Sequence, residues 1–263
     1  MKLIIADLDG TLISKQQMSD STKQTVQKLK EQGYLFTLAT GRHKDATRRV
    51  AGELKVDLPV ICTNGAFIYD FKTEKVIHQD TIDAISVKKV LDILNEQKSS
   101  YLLYTTKSIV SNQTSKDKLA GRIGSFESLV VSEEKLLDYL PLGLLKILII
   151  ENDDIKFKQL RDKLSTLESV YVLSSQPSFI DVGNKVANKG RALEILSTYL
   201  GITLEEVLSI GDQENDLTMI QKAGIGVSMG DGEQALKEAA DFITKPFIED
   251  GFTYAINKFI FKE

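Results

Sequence analysis

A chain of 263 residues, 42% hydrophobic and 27% charged, is long enough for one large domain or two smaller ones, each with its own core. Four Pro and 17 Gly, with no repeat or low-complexity run, exclude a disordered or solenoid chain. A net charge of −4 without a Lys/Arg block argues against a nucleic-acid partner, and the single cysteine, Cys62, excludes an intrachain disulfide and fits a reduced, cytoplasmic compartment.

The opening residues frame everything after them. Leu3 to Ala6 is an apolar run that reads as a buried strand and stops at Asp7-Leu8-Asp9-Gly10. This stop comes too early for the apolar core of a signal peptide. Side chains two apart on an extended chain point the same way, and two carboxylates ~4 Å apart repel by roughly 4 kcal/mol at an effective dielectric near 20. A divalent cation offsets that repulsion, and hard oxygen ligands suit Mg²⁺. Gly10 permits the sharp turn that follows a strand.

Asp20 to Gln32 predicts a helix closed by Gly33. Tyr34 to Ala39 predicts a strand ending in Thr40-Gly41-Arg42, and Lys44 to Leu54 a second helix. Pro59 to Cys62 predicts a third strand, ending in Thr63-Asn64-Gly65-Ala66. Strands alternating with helices are the pattern of a parallel α/β sheet, which binds ligands beyond the carboxyl ends of its strands.

From about Thr81 the rhythm changes. Helices are expected at Ile85–Gln97, Glu133–Tyr139 and Asp154–Leu167. Strands are expected at 101–105, 109–111, 129–131, 144–150, 170–173 and 179–182. The longest apolar stretch, Leu144 to Ile150, contains Lys146 and is far too short to span a bilayer. Asn112-Gln113-Thr114 fits a glycosylation sequon but reads as an ordinary polar loop. Paired strands with short turns predict an antiparallel sheet with helices on one face. Residues 82–183 are therefore expected to form an inserted α+β domain, and residues 1–81 and 184–263 the domain it interrupts. The α/β pattern resumes with a helix from Asn188-Lys189-Gly190 to Tyr199, then a strand, Val207 to Ile210, ending in Gly211-Asp212-Gln213-Glu214-Asn215-Asp216. A helix to Ala223, strands near Gly226–Met229 and Phe242–Thr244, and a helix from Thr253 to Phe261 complete the chain.

Four sites now fall where strands end or helices begin: Asp7/Asp9, Thr40, Lys189 and Asp212/Asn215/Asp216. Each has a bland explanation, such as a helix cap for Thr40, a solvated lysine, an acidic loop, or a surface ion pair for Arg42. Their joint occurrence has a chemical one. A carboxylate can attack phosphorus and form an aspartyl-phosphate, and Asp7 is the candidate nucleophile. Asp9 is placed to protonate the leaving oxygen and later to deprotonate water. Mg²⁺ would screen Asp7 from a phosphate dianion, with Asp212 completing the metal site. Lys189 supplies fixed positive charge. The Thr40 hydroxyl and the amides of Leu8 and Gly41 can donate to phosphoryl oxygens.

These motifs resemble the haloacid dehalogenase superfamily: Asp7-Leu-Asp-Gly-Thr11, Thr40 in Ala-Thr-Gly-Arg, Lys189 in Asn-Lys-Gly, and Gly211-Asp212 through Asn215-Asp216. The insert between the second and third motifs resembles the type IIB cap. Thr63-Asn64-Gly65-Ala66, Gly226-Val-Ser-Met-Gly230, Ala240-Asp241 and Glu249-Asp250-Gly251 look like the Cof-like phosphatases. The resemblance implies a Rossmann-like parallel-sheet core with an inserted α+β cap that governs access and selectivity. It implies a Mg²⁺-dependent phosphatase acting on a small phosphorylated molecule such as a sugar phosphate or phosphorylated cofactor. It places the metal on Asp7, the backbone carbonyl of Asp9, and Asp212. It makes Asn215 a contact to phosphate or lysine, and sets Asp216, with Arg42, behind the ligands. Asn188 and Asp231-Gly232 depart from the family's commoner Ser and Asn-Ala. A phosphomutase is the alternative on the same scaffold, and a receiver-type phosphoacceptor is a third reading, opposed by the insert and by Asp9 two residues from the acceptor. No membrane partner is expected, and the sequence does not set an oligomeric state.

Overall fold

In the computed structural model, which describes residues 1–14, 17–123, 126–176 and 178–262, β1 (Leu3–Ala6) is buried along its whole length. It leads into α1 (Asp20–Glu31), β2 (Leu35–Leu38), α2 (Lys44–Glu53), β3 (Val60–Cys62), β4 (Phe67–Asp70) and β5 (Lys75–Gln79). Next come α3 (Ala84–Glu96), β6 (Ser100–Thr105), β7 (Ile109–Ser111), α4 (Gln113–Ile123), β8 (Leu129–Val130), β9 (Leu144–Ile150), α5 (Asp154–Ser165), β10 (Val170–Gln176) and β11 (Phe179–Asn184). The last stretch holds α6 (Lys189–Leu200), β12 (Val207–Gly211), α7 (Leu217–Lys222), β13 (Ile225–Ser228), α8 (Gln234–Ala239), β14 (Phe242–Ile243) and α9 (Gly251–Ile256). Two compact units result, Met1–His78 with Asn188–Glu263, and Gln79–Ala187.

The first unit is a Rossmann-like sheet in the order β14-β13-β12-β1-β2, parallel throughout. An all-parallel sheet needs cover on both faces, and the side chains of β1 divide accordingly. Leu3 and Ile5 pack with Ala192, Leu193 and Leu196 of α6 and with Met219 of α7. Ile4 pairs in register with Phe36, whose ring meets Phe252 of α9 edge-on at 6.3 Å. The third strand of the sequence reading, β3, joins the sheet through an Ala39–Ile61 bridge. Its main partner is β4, which pairs antiparallel with it and borders β5 on its other side; the sequence reading left this β4–β5 hairpin out. The turn of that hairpin is held by Asp70, whose carboxylate accepts from the Lys72 and Thr73 amides and the Thr73 hydroxyl.

The second unit is a six-stranded sheet in the order β10-β11-β9-β6-β7-β8, so the chain is a parallel α/β core with an inserted α+β unit. Its pairs are antiparallel except β7–β8. Helices pack on both faces of this sheet. Tyr101, Leu103, Ile147 and Ile149 meet residues of α3 and α5. Leu102, Tyr104, Leu148 and Phe179 meet Leu119 of α4, with Phe126 alongside. The expected one-sided cover fails because α4 begins where a polar loop was expected. Asn112 caps it, accepting from the Ser115 amide at 2.8 Å, so the sequon-like tripeptide is a helix start. The stretch expected as a helix near residue 133 is a 3₁₀ segment, Glu133–Leu142, that contains Pro141.

Lys146 of β9 and Asp181 of β11 are both buried, with Nζ 3.2 Å from Oδ2, and the ammonium lies 4.6 Å from the Tyr104 ring centroid. Removing one member of such a pair strands the other charge. Asp181→Ala is expected to lower unfolding stability by about 3–5 kcal/mol, whereas Lys146→Met combined with Asp181→Leu recovers most of that loss. Urea denaturation of the three proteins measures both values.

Candidate active site

The site is built where β1 and β12 end side by side. Ala6 is in register with Ile210, and the Asp7 amide continues the ladder by donating to Ile210 O at 2.9 Å. The chain then turns tightly, with the Leu8 carbonyl accepting from the Leu12 and Ile13 amides. Gly10 has φ +91°, and a Cβ there would meet Asp212 Oδ2 at 2.1 Å, so both conformation and space demand glycine. Asp212 is held by the Thr11 hydroxyl on Oδ1 at 3.1 Å and by Gln213 Nε2 on Oδ2 at 3.1 Å.

Lys189 is the first residue of α6, whose cap is Asn188 Oδ1 accepting from the Arg191 amide at 2.8 Å. The lysine is fully buried, and Nζ lies 2.5 Å from Asp7 Oδ1 and 2.5 Å from Asp216 Oδ1. The other oxygen of Asp216 accepts from the Asp212 and Gln213 amides. Asp216 therefore ties the loop after β12 to the lysine and has both oxygens committed. Among the described residues, Asp7, Asp212 and Asp216 form a buried group whose carboxylate oxygens lie within 4.8 Å of one another.

One ammonium cannot balance three buried carboxylates. Burial pushes the Asp7 pKa well above the usual carboxylate range; Lys189 opposes this, and Asp216, Asp212 and Asp9 add to it. Burial and the Asp216 charge push Asp212 up to about 7, against Gln213, Lys189 and Thr11. For Lys189, burial disfavours the charge, but Asp216 and Asp7 outweigh it and hold the ammonium above its ordinary pKa. The deficit of positive charge and the all-oxygen donor set fit a hard divalent cation, and Mg²⁺ typically takes only one or two carboxylates with water and phosphate oxygens. Asp7 and Asp212 are the two carboxylates suited to it.

The Asp9 carboxylate is turned to Arg42, not to this group. Arg42 Nε donates to Oδ2 at 2.8 Å and Nη2 to Oδ1 at 2.7 Å. Arg42 is therefore a bidentate partner of Asp9, in a part-exposed pair with side chains 23% and 42% exposed. Thr40 is buried; its Oγ1 accepts from the Arg42 amide at 3.1 Å, which leaves its proton to donate. Asn215 Nδ2 donates to Asn64 Oδ1 at 2.9 Å. The structure thus brings Asp7, Lys189, Asp212 and Asp216 into one cluster, and links Asp9 to Arg42 and Asn215 to Asn64. The contacts of Thr11, Gln213 and Asn64 were not foreseen. All three lie in the motifs, Gln213 at a position of the Gly211–Asp216 stretch where no residue type is required.

A family model described as haloacid dehalogenase-like hydrolase matches residues 4–256. The chain is 30% identical over 265 residues to the 5-amino-6-(5-phospho-D-ribitylamino)uracil phosphatase YcsE of Bacillus subtilis, covering 99% of this chain and 96% of that one. It is 27% identical to the pyridoxal phosphate phosphatase YbhA of Escherichia coli, over 99% of this chain and 97% of that one. Among solved structures, a haloacid dehalogenase-like hydrolase from Bacteroides thetaiotaomicron superposes with a TM-score of 0.85 at 29% identity, over 98% of each chain. Among the described residues, no helix is long and apolar enough to cross a membrane.

A raised carboxyl pKa gives the metal a proton to displace. Without metal, the folded form holds protons on Asp212 that the unfolded chain has already lost, so stability falls as pH rises from near 4 to about 7. Mg²⁺ is therefore expected to raise the melting temperature more at pH 8 than at pH 6. Asp212→Asn is expected to abolish most of the rise. Thermal scans with and without Mg²⁺ at both pH values check this.

Proposed function

This chain belongs to the haloacid dehalogenase-like hydrolases, and we propose that it hydrolyses small phosphate monoesters through an aspartyl-phosphate on Asp7. The observation that carries this reading is the buried Asp7 carboxylate at the end of β1, held on one oxygen by Lys189 at 2.5 Å. An anchored oxygen leaves the other to attack. Asp7 Oδ2 forms a bond to phosphorus as the bond to the leaving oxygen breaks. Asp9, protonated in this step on an oxygen freed from the Arg42 fork, gives that proton to the leaving oxygen, which departs as the alcohol. Water then attacks the aspartyl-phosphate, its proton passes to Asp9, and phosphate leaves as the Asp7 carboxylate is restored.

Asp7, Asp212 and the carbonyl of Asp9 would hold Mg²⁺, which would supply positive charge to offset the repulsion of Asp7 for the phosphate dianion. Lys189, Asn215, the Thr40 hydroxyl and the amides of Leu8 and Gly41 bind phosphoryl oxygens. Asp216 keeps Lys189 and the Asp212 loop in place, and Arg42 orients Asp9. Substrates of the sugar-phosphate or phosphorylated-cofactor class are supported by the similarity to YcsE, a phosphatase of a phosphoribityl compound, and to YbhA, a pyridoxal phosphate phosphatase. The inserted unit sets selectivity among such esters.

Asp7→Asn is expected to reduce Mg²⁺-dependent phosphate release from an aryl phosphate by more than about a thousandfold. An unchanged rate refutes the assignment. Lysine cannot reproduce the guanidinium fork, so Arg42→Lys is expected to lower kcat about tenfold while Mg²⁺ affinity stays constant. Steady-state kinetics with a magnesium titration separates the two effects.

A further inference from the structure

The turn after β3 is the most contorted stretch near the site. Thr63, Asn64 and Gly65 have consecutive φ values of 53°, 55° and 95°. Asparagine and glycine enter the left-handed region at small cost, but a β-branched threonine does not. All three are buried, and the Thr63 hydroxyl has no hydrogen-bond partner. Such backbone persists only where its surroundings over-determine it.

The surroundings here are the other loops of the site. The Thr63 amide donates to Arg42 O at 2.9 Å and the Asn64 amide to Thr40 O at 3.1 Å, which pins Thr40-Gly41-Arg42. Gly65 lies against the start of α6, where a Cβ would come within 2.2 Å of Asn188 O. The Asn64 side chain reaches the third loop. Its Oδ1 accepts from Asn215 Nδ2 at 2.9 Å and would lie 2.6 Å from a Cβ on Gly41.

We propose that Asn64 is a positioning residue that fixes which end of the Asn215 carboxamide faces the phosphoryl site. This role for Asn64 rests on the assignment of Asn215 as a phosphate contact. A carboxamide oxygen only accepts, so Asn64 Oδ1 pairs with the amino end of Asn215 and repels its carbonyl. Asn215 Nδ2 lies 3.7 Å from the Cβ position of Gly41, so its amino end faces the loop assigned to phosphoryl oxygens. The second N–H of that group remains for the anion. A reversed Asn215 would offer the anion a lone pair. Asn64 therefore spends its own acceptor on preorganising a neighbour, and the strained turn holds it at the junction of three loops.

The test is inhibition by inorganic phosphate of Mg²⁺-dependent aryl phosphate turnover, with melting temperature as the control for folding. Asn64→Gly suits the left-handed backbone and removes the carboxamide. It is expected to raise the phosphate inhibition constant about tenfold, the scale of one hydrogen bond to a charged group. Asn215→Ala should cost about the same tenfold in the wild-type background and less than about twofold when added to Asn64→Gly. Asn64→Asp keeps both the acceptor and the backbone preference, so in that background Asn215→Ala should regain its full effect. This arm also serves if Asn64→Gly does not fold. An undiminished effect of Asn215→Ala in Asn64→Gly, or a lost effect in Asn64→Asp, overturns the proposal. If Asn215→Ala leaves phosphate inhibition unchanged in the wild-type background, the reading of Asn215 falls as well.

Discussion

Lys189 Nζ sits 2.5 Å from Asp7 and 2.5 Å from Asp216, with no solvent exposure. Burying a lone ammonium costs several kcal/mol, and the two carboxylates turn that cost into a fixed charge beyond the ends of β1 and β12. The arrangement also overshoots. Asp212 adds a third buried carboxylate to the group, and the guanidinium of Arg42 is engaged with Asp9. An acidic excess beside one anchored cation is poorly suited to an empty, resting protein. It is well suited to a site completed by a divalent ion, after which a phosphate dianion meets positive charge.

That constraint depends on topology. Asp7 and Asp212 are 205 positions apart in sequence yet adjacent in space, because β1 and β12 are neighbouring parallel strands in register from Leu3–Val207 to Ala6–Ile210. The Thr11–Asp212 hydrogen bond then links the two loops beyond the strand ends. On the other side, β2 carries Thr40 to the same edge, again in parallel register with β1. The inserted unit can interrupt the chain between β5 and α6 without disturbing these pairings, since none of the strands that carry the site lies within it.

The residues legible in the sequence are those whose chemistry demands a side-chain type at a strand end. Asp7, Thr40 and Asp212 stand out because apolar runs break into them, and Lys189 because it opens a helix in the Asn-Lys-Gly motif. The parallel sheet was legible for the same reason, as its central strands are short, mostly apolar runs. The β4–β5 hairpin was not. Its second strand is largely exposed, and its turn uses Asp70 as a cap and Glu74 at φ 54° in place of an Asn-Gly signal. The Asp9–Arg42 fork spans 33 residues, and nothing local chooses between it and a solvated pair. Helix α4 was hidden because the polar residues that start a helix also describe a loop.

The Asn64 turn shows why local reading fails most where function concentrates. Sequence preference at each position is a statement about the unfolded chain and near neighbours. Thr63 at φ 53° contradicts its own preference at a cost of order 1–3 kcal/mol. Gains elsewhere must cover that cost, and they are non-local: amides paired with Thr40 and Arg42, and a side chain shared with Asn215. A threonine that avoided the strain would release the carbonyl of Arg42 and shift Asn64 away from its partner. The strain and the buried acidic excess thus have one logic. Both are locally unfavourable, both are held by the packed sheet beneath them, and both place polar atoms where only an incoming ion and anion can complete the set.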